Sequence, residues 1–166
     1  KFIKSKSVTT QGFVDNFLLM GEKLNPRQQQ DATEFIQSFF DLLQDDQYYK
    51  NLVDELFKIV ITNSKRGLGE DDYYVNDTNE PSYYFMLEVN NLHSMKEGFE
   101  HFIEPKYLTG SNKYRIGKNQ FINAVNHSVL SRIPPFLIIQ LMRFEFNQFI
   151  KERKKICQHY EVLNEI

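Results

Sequence analysis

The sequence has a single cysteine, Cys157, and that scarcity removes two kinds of scaffold. One thiol closes no intrachain disulfide and supplies no Cys-based zinc site, and it fits a reducing compartment. A basic excess is also missing. The formal charge is −2, from 20 Lys and Arg against 22 Asp and Glu, whereas a broad nucleic-acid-binding surface needs the opposite balance. The local basic clusters, Lys1-Lys4-Lys6 and Lys151-Arg153-Lys154-Lys155, read as solvated edges. No apolar run approaches the ~20 residues that span a bilayer, and no signal-peptide core opens the chain. Lys rather than Met stands at position 1, so the chain is expected to be a segment of something longer or a processed product.

What is present is a core. The 166 residues are one domain's length, 41% hydrophobic and 14% aromatic, with 15 Phe and 9 Tyr. Ala32, Phe35, Ile36, Phe39, Leu42 and Leu43 recur at helical spacing. They predict an amphipathic helix from Pro26 to about Leu43, with Asn25 as its cap and a polar first turn from Gln28 to Asp31. Phe13 to Met20 reads as a shorter helix closed near Gly21, and Tyr48 to Leu56 as a weaker one. The texture changes at Phe57. Phe57 to Thr62 and Tyr83 to Val89 read as strands, with residues 63–81 a long loop between them. Ser94 and Glu97 form a capping-box pattern for a helix whose buried stripe is Phe99, Phe102 and Ile103. Further strands are expected near Tyr114, within 121–133, from Phe136 to Phe146 behind Pro134-Pro135, and from Ile156 to Val162. Helices first and strands later predict an α+β fold with a mainly antiparallel sheet.

These residues show no complete catalytic constellation. Cys157 and His159 stand two apart on one predicted strand face, so a Cys–His pair is conceivable; the plainer reading is a small half-buried Cys beside a surface His. The four histidines, His93, His101, His127 and His159, show no metal-ligand spacing. Gly67-Leu68-Gly69 lacks the helix start of a phosphate loop. Residue chemistry alone reaches a binding surface and stops there.

A specific resemblance begins at the polar helix start. Gln29-Gln30-Asp31-Ala32-Thr33-Glu34-Phe35 resembles the Gln-x-Asp-Ala-x-Glu-Phe box of the ubiquitin-specific proteases, the papain-like thiol deubiquitinases. Later segments resemble the same family in the same order: Leu56-Phe57 with the strand after it, Glu80-Pro81 with Tyr83 to Val89, and Glu104 to Tyr114. Pro134 to Phe146 follows, then Lys155-Ile156 with Tyr160-Glu161-Val162. The matches cover nearly the whole chain from about residue 20. The resemblance implies an α+β, papain-like deubiquitinase hand that is incomplete here. Thumb helices would occupy about 1–56, antiparallel fingers about 57–133, and the start of the palm about 134–166.

For function, the resemblance implies a parent that is a thiol-dependent ubiquitinyl hydrolase, cutting isopeptide or peptide bonds at the ubiquitin C-terminus. Its partners would be ubiquitin and ubiquitinated proteins, in the cytoplasm and/or nucleus. The alternative is a catalytically inactive, ubiquitin-binding or scaffold member. The family often carries Cys-x-x-Cys pairs near the positions matching 60–75 and 114–120, and this sequence has none. It therefore resembles the zinc-free branch, close to the herpesvirus-associated type, with no zinc, no other cofactor, no nucleic acid and no membrane expected. The family's Cys box and His box, upstream and downstream of these motifs, have no counterpart, and Cys157 falls at a variable position. No catalytic residue is assigned, and the chain alone is expected to be inactive. Gln29 and Asp31 inherit the family's grip on the ubiquitin tail, whose arginines suit a carboxylate. Glu34 either shares that grip or anchors a neighbouring loop. Phe144 and Phe146 would line the tail cleft, Phe146 standing where the family usually has Tyr; the alternative for Phe144 is a core aromatic. Arg143 is expected to tie strand to helix.

Overall fold

A computed structural model describes residues 9–147 and 151–163, in two compact units, 1–53 and 54–166. Lys1, Lys4 and Lys6, with Phe2, Ile3 and Val8, lie outside the described residues.

Aromatic packing builds the first unit. α1 (Gln11–Asn16) ends where Phe17 turns extended, and β1 (Leu18–Leu19) pairs antiparallel with β2 (Glu22–Lys23). The spacing predicts helix as far as Met20. Instead Met20 and Gly21 take positive φ, 51° and 85°, and make the tight turn of a hairpin, a conformation that glycine adopts at no steric cost. α2 (Ala32–Leu43) begins at Ala32 rather than at Pro26. Asn25 caps a turn, not a helix: its Oδ1 accepts the Arg27 N–H at 3.1 Å and its carbonyl accepts the Gln28 N–H at 3.1 Å. Phe13, Phe17, Phe35 and Phe39 then lock α1 to α2, with ring centroids 4.9 Å apart for Phe13–Phe17 and 5.1 Å for Phe17–Phe35. α3 (Gln47–Phe57) carries the chain into the second unit.

In the second unit β3 (Ile59–Gly67) pairs antiparallel with β4 (Val75–Ser82), so only the segment around the 3-10 turn Gly69–Asp71 is loop. The stretch 63–81 reads as loop because Asn, Asp and Pro are poor strand formers. Cross-strand side-chain bonds compensate: Ser64 Oγ donates to Asp77 Oδ1 at 2.6 Å, Asn63 Nδ2 to Glu80 Oε1 at 2.9 Å, and Thr62 Oγ1 to Asn79 Oδ1 at 2.7 Å. β5 (Phe85–Glu88) follows, then α4 (Met95–Ile103). Ser94 Oγ accepts the Glu97 N–H at 3.2 Å while the Glu97 carboxylate accepts the His93 N–H at 2.8 Å, a reciprocal cap. After β6 (Lys106–Leu108), β7 (Tyr114–Gly117) and β8 (Gln120–Ile122) form a hairpin, and β9 (Ala124–Arg132) completes a four-stranded sheet ordered β4-β3-β9-β6.

β10 (Ile139–Met142) runs parallel to β5, opposite residues 85–88, the one parallel strand ladder among the described residues beside an isolated parallel bridge between Ser94 and Glu161. β11 (Phe144–Asn147) turns back through β12 (Glu152–Lys155). A strand from 156 to 162 is expected; the strand lies at 152–155 instead. The later segment is held by isolated bonds because its partners are turn and cap groups. The Glu161 N–H donates to His93 O at 2.8 Å, and Met95 N–H to Glu161 O at 2.9 Å. The core of this unit is Ile59, Phe85, Leu87 and Val89, all fully buried, with Met95 and Tyr160 beside them. Phe99 stacks on Phe85 at 5.4 Å and Phe102 meets its edge at 4.8 Å, which fixes α4 on β5.

Two tests follow from this packing. A Cβ added at Gly98 would lie 2.5 Å from Tyr160 Oη and 3.0 Å from Leu87 Cγ. Gly98→Ala should therefore lower the melting temperature, although Ala gains about 1 kcal/mol of helix propensity over Gly; a raised melting temperature refutes the close packing. The second concerns Asp77. The hydrogen bond from Arg66 at 2.6 Å, with a further one from Ser64, holds its carboxyl below the usual carboxylate range. Its contribution to stability is complete above that range and is lost as pH falls through the depressed folded value. Arg66→Gln should raise the Asp77 titration midpoint measured by carboxyl-carbon NMR.

Candidate functional site

The polar helix start is built around one carboxylate. Asp31 has extended backbone, φ −75° and ψ 124°, and is the N-cap of α2. Its Oδ1 accepts the Thr33 N–H at 2.7 Å and the Glu34 N–H at 3.2 Å, two of the donors that a helix leaves unpaired at its start. Oδ2 makes no hydrogen bond among the described residues, and Asp31 is exposed. Glu34 lies in the same first turn, exposed, with no hydrogen bond or ion pair from its carboxylate among the described residues, so nothing there supports its anchoring a loop. Both acids stand at the positive end of the helix dipole. Gln29 is exposed two residues ahead of the cap, on irregular backbone. Gln29, Asp31 and Glu34 thus cluster within the first unit.

Phe144 and Phe146 lie together in the second unit, on β11. They are 63% and 59% exposed, so Phe144 is not a core aromatic. Strand alternation puts both on one face, and the register sets Lys155 opposite Phe144 and Arg153 opposite Phe146. Arg143 roots this ribbon. The Ile156 N–H donates to Arg143 O at 2.7 Å, and Arg143 Nη1 donates to Ile156 O at 3.3 Å and Gln158 O at 3.1 Å. Arg143 therefore ties its strand to the 156–158 segment and not to a helix. Its guanidinium also lies 6.0 Å from the Tyr160 ring. Burial pushes the Tyr160 phenol up, Glu97 adds to that shift, and Arg143 opposes it.

Cys157 is exposed rather than half-buried, its Sγ 3.7 Å from Lys155 O, and His159 is exposed with no bond to it among the described residues. Among the described residues no group of three or more His, Cys, Asp or Glu is placed to hold a metal, and no helix is long and apolar enough to cross a membrane. Arg153 and Lys155 belong to a basic cluster that reads as a solvated edge; their alternate spacing matches that of Phe144 and Phe146, a signal that acquires meaning only with the hairpin register.

This fold has a solved counterpart. A chain of the SAGA Ubp8/Sgf11/Sus1/Sgf73 DUB module bound to ubiquitin aldehyde matches 81% of this chain, and 31% of that one, with a TM-score of 0.67 at 20% identity. The mixed helix-and-sheet architecture is thus that of the papain-like deubiquitinases. The family model described as ubiquitin carboxyl-terminal hydrolase matches residues 1–166, and the chain belongs to that family, the ubiquitin-specific proteases. Mouse ubiquitin carboxyl-terminal hydrolase 9X is 30% identical over 142 residues, 82% of this chain. Human ubiquitin carboxyl-terminal hydrolase 24 is 31% identical over 141 residues, 79% of this chain. Human ubiquitin carboxyl-terminal hydrolase 34 is 26% identical over 159 residues, 93% of this chain. The chain spans 5% of the length of the first two and 4% of the third.

The cap geometry separates two roles of Asp31. Asn is as good a cap as Asp, so Asp31→Asn should leave α2 intact, whereas Asp31→Ala should cost about 1 kcal/mol of local stability. Amide exchange at Thr33 and Glu34 reads this directly: equal protection in both variants would rule out the cap.

Proposed function

We propose that the chain is the ubiquitin-recognising core of a cysteine-type deubiquitinase, whose parent hydrolyses isopeptide or peptide bonds at the ubiquitin C-terminus. The observation that carries this reading is the Asp31 cap. One carboxylate oxygen is committed to the helix and holds the side chain still, and the other is open to solvent. A preorganised carboxylate of this kind suits an extended, arginine-bearing tail. Gln29 supplies amide hydrogen bonds beside it and Glu34 a second charge. Phe144 and Phe146 offer aromatic faces suited to an extended peptide backbone, and the four-stranded sheet would cradle the globular body of ubiquitin. Units of thumb, fingers and palm would follow the boundaries expected from sequence. Ubiquitin binding also fits the solved counterpart, which is described as bound to ubiquitin aldehyde.

The chemistry is assigned to groups other than those of this chain, because among the described residues Cys157 makes no hydrogen bond to a histidine or carboxylate. Neither zinc nor another cofactor is invoked, and a cytoplasmic or nuclear setting fits the lone reduced thiol. A catalytically inactive, ubiquitin-binding parent is the second reading.

In the full-length protein, Asp31→Ala and Asp31→Asn should each weaken ubiquitin binding about tenfold, the scale of one charge-assisted hydrogen bond. An unchanged dissociation constant would sink the role. The 166-residue chain should release no fluorophore from a ubiquitin C-terminal conjugate; release that Cys157→Ala abolishes would overturn the assignment of the chemistry elsewhere. Turnover by the full-length protein separates the enzyme from the inactive binder.

A further inference from the structure

The β11–β12 ribbon carries an arrangement that a grip on the ubiquitin tail does not use. On the face bearing Phe144 and Phe146, the residues directly opposite are Lys155 and Arg153. Residues paired across an antiparallel ribbon share a face, with Cβ atoms about 5 Å apart. The four side chains therefore form one exposed patch, two aromatic rings flanked by two cations. The acids of the ribbon, Glu145 among them, alternate to the opposite face, where Glu145 stands across from Lys154. Among the described residues neither Arg153 nor Lys155 makes an ion pair.

Within that patch Arg153 and Lys155 have the wrong sign for an arginine-bearing tail, which they repel. The charge complementary to the two cations is anionic. A nucleic acid is the weaker fit, because the basic character is confined to one face of a short ribbon in a chain of net charge −2. We propose that the Arg153–Lys155 side of the ribbon receives an acidic stretch of the protein to which ubiquitin is attached, so that the domain favours conjugates whose modified lysine is flanked by Asp or Glu. This rests on the reading of the chain as a ubiquitin-recognising core and names the class of substrate that core selects. The two cations read the charge of that acidic stretch.

The test uses the full-length protein and a lysine peptide with Glu flanks or Gln flanks, each free and each joined to ubiquitin by a non-cleavable linker. Binding is followed by fluorescence anisotropy. The Glu conjugate should bind about fivefold more tightly than the Gln conjugate, the scale of two exposed ion pairs. The difference should shrink as salt is raised. It should vanish in Arg153→Gln/Lys155→Gln, while ubiquitin alone binds both proteins equally and circular dichroism is unchanged. Equal affinity for the two conjugates overturns the proposal, as does a preference that survives in the double variant. So does a single-stranded oligonucleotide of matched charge that binds as tightly as the Glu peptide and is lost in that variant. Failure of the underlying reading looks different: ubiquitin alone does not bind, whichever free peptide the ribbon prefers.

Discussion

Much of the second unit depends on the disposal of backbone carbonyls just after β5. The chain turns there before α4, where Val89 O accepts the Leu92 N–H of the turn at 3.2 Å and neither it nor Leu92 O has a donor from a ladder or a helix. The Gln158 amide donates to both, at 2.8 Å and 2.6 Å, from nearly seventy residues further along. Arg143 in turn donates to the carbonyls of Ile156 and Gln158, so the segment that satisfies one turn is itself satisfied by the strand junction between β10 and β11. A carbonyl shielded from water and left short of donors costs more than a hydrogen bond gains, so this clasp supports the packing around it. The start of α4, the parallel β5–β10 pair and the root of the β11–β12 ribbon all meet in it. Tyr160, with Arg143 near its ring and Gly98 beneath its hydroxyl, closes the same corner.

The two candidate surfaces, one in each unit, are prepared by different physics. At the start of α2 the preparation is electrostatic: a carboxylate is fixed by two N–H donors in a region of positive potential. On β11 it is topological, since alternation and register decide which side chains share a face. Neither part requires a buried charge, and neither requires a metal to be held in place. A helix cap and a ribbon face each place their side chains accurately and leave them accessible.

Where local chemistry was decisive, the sequence was readable. Ser94 with Glu97 marks the start of α4, and Pro134-Pro135 marks the extended approach to β10, because caps and prolines act within a few residues. The periodicity of α2 locates its body but not its start, since Asn25-Pro26 and Asp31 are both good initiators and only folding reveals that the first makes a turn. The β1–β2 hairpin hides behind an apolar run that helix and strand share equally, and it is decided by positive φ at Met20 and Gly21. β4 is invisible to propensity because its stabilising partners, Thr62, Asn63 and Ser64, lie on another strand. The motif at Gln29 to Phe35 points to the family together with the ordered segments after it, while the pairing of Lys155 with Phe144 and Arg153 with Phe146 depends on a register that no linear pattern contains.

β4 forms the outer strand of its sheet, and an outer strand eight residues long is a template onto which another molecule's strand can add. The residues that disguise it as a loop also deny that use. Pro81 removes a donor from the row, in the one kind of strand that tolerates the loss. Asp77 and Glu80 bring charge to the rim, so a second sheet edge would have to desolvate it before any backbone bond could form. The polarity that makes this strand hard to recognise is also what keeps the sheet from growing past it.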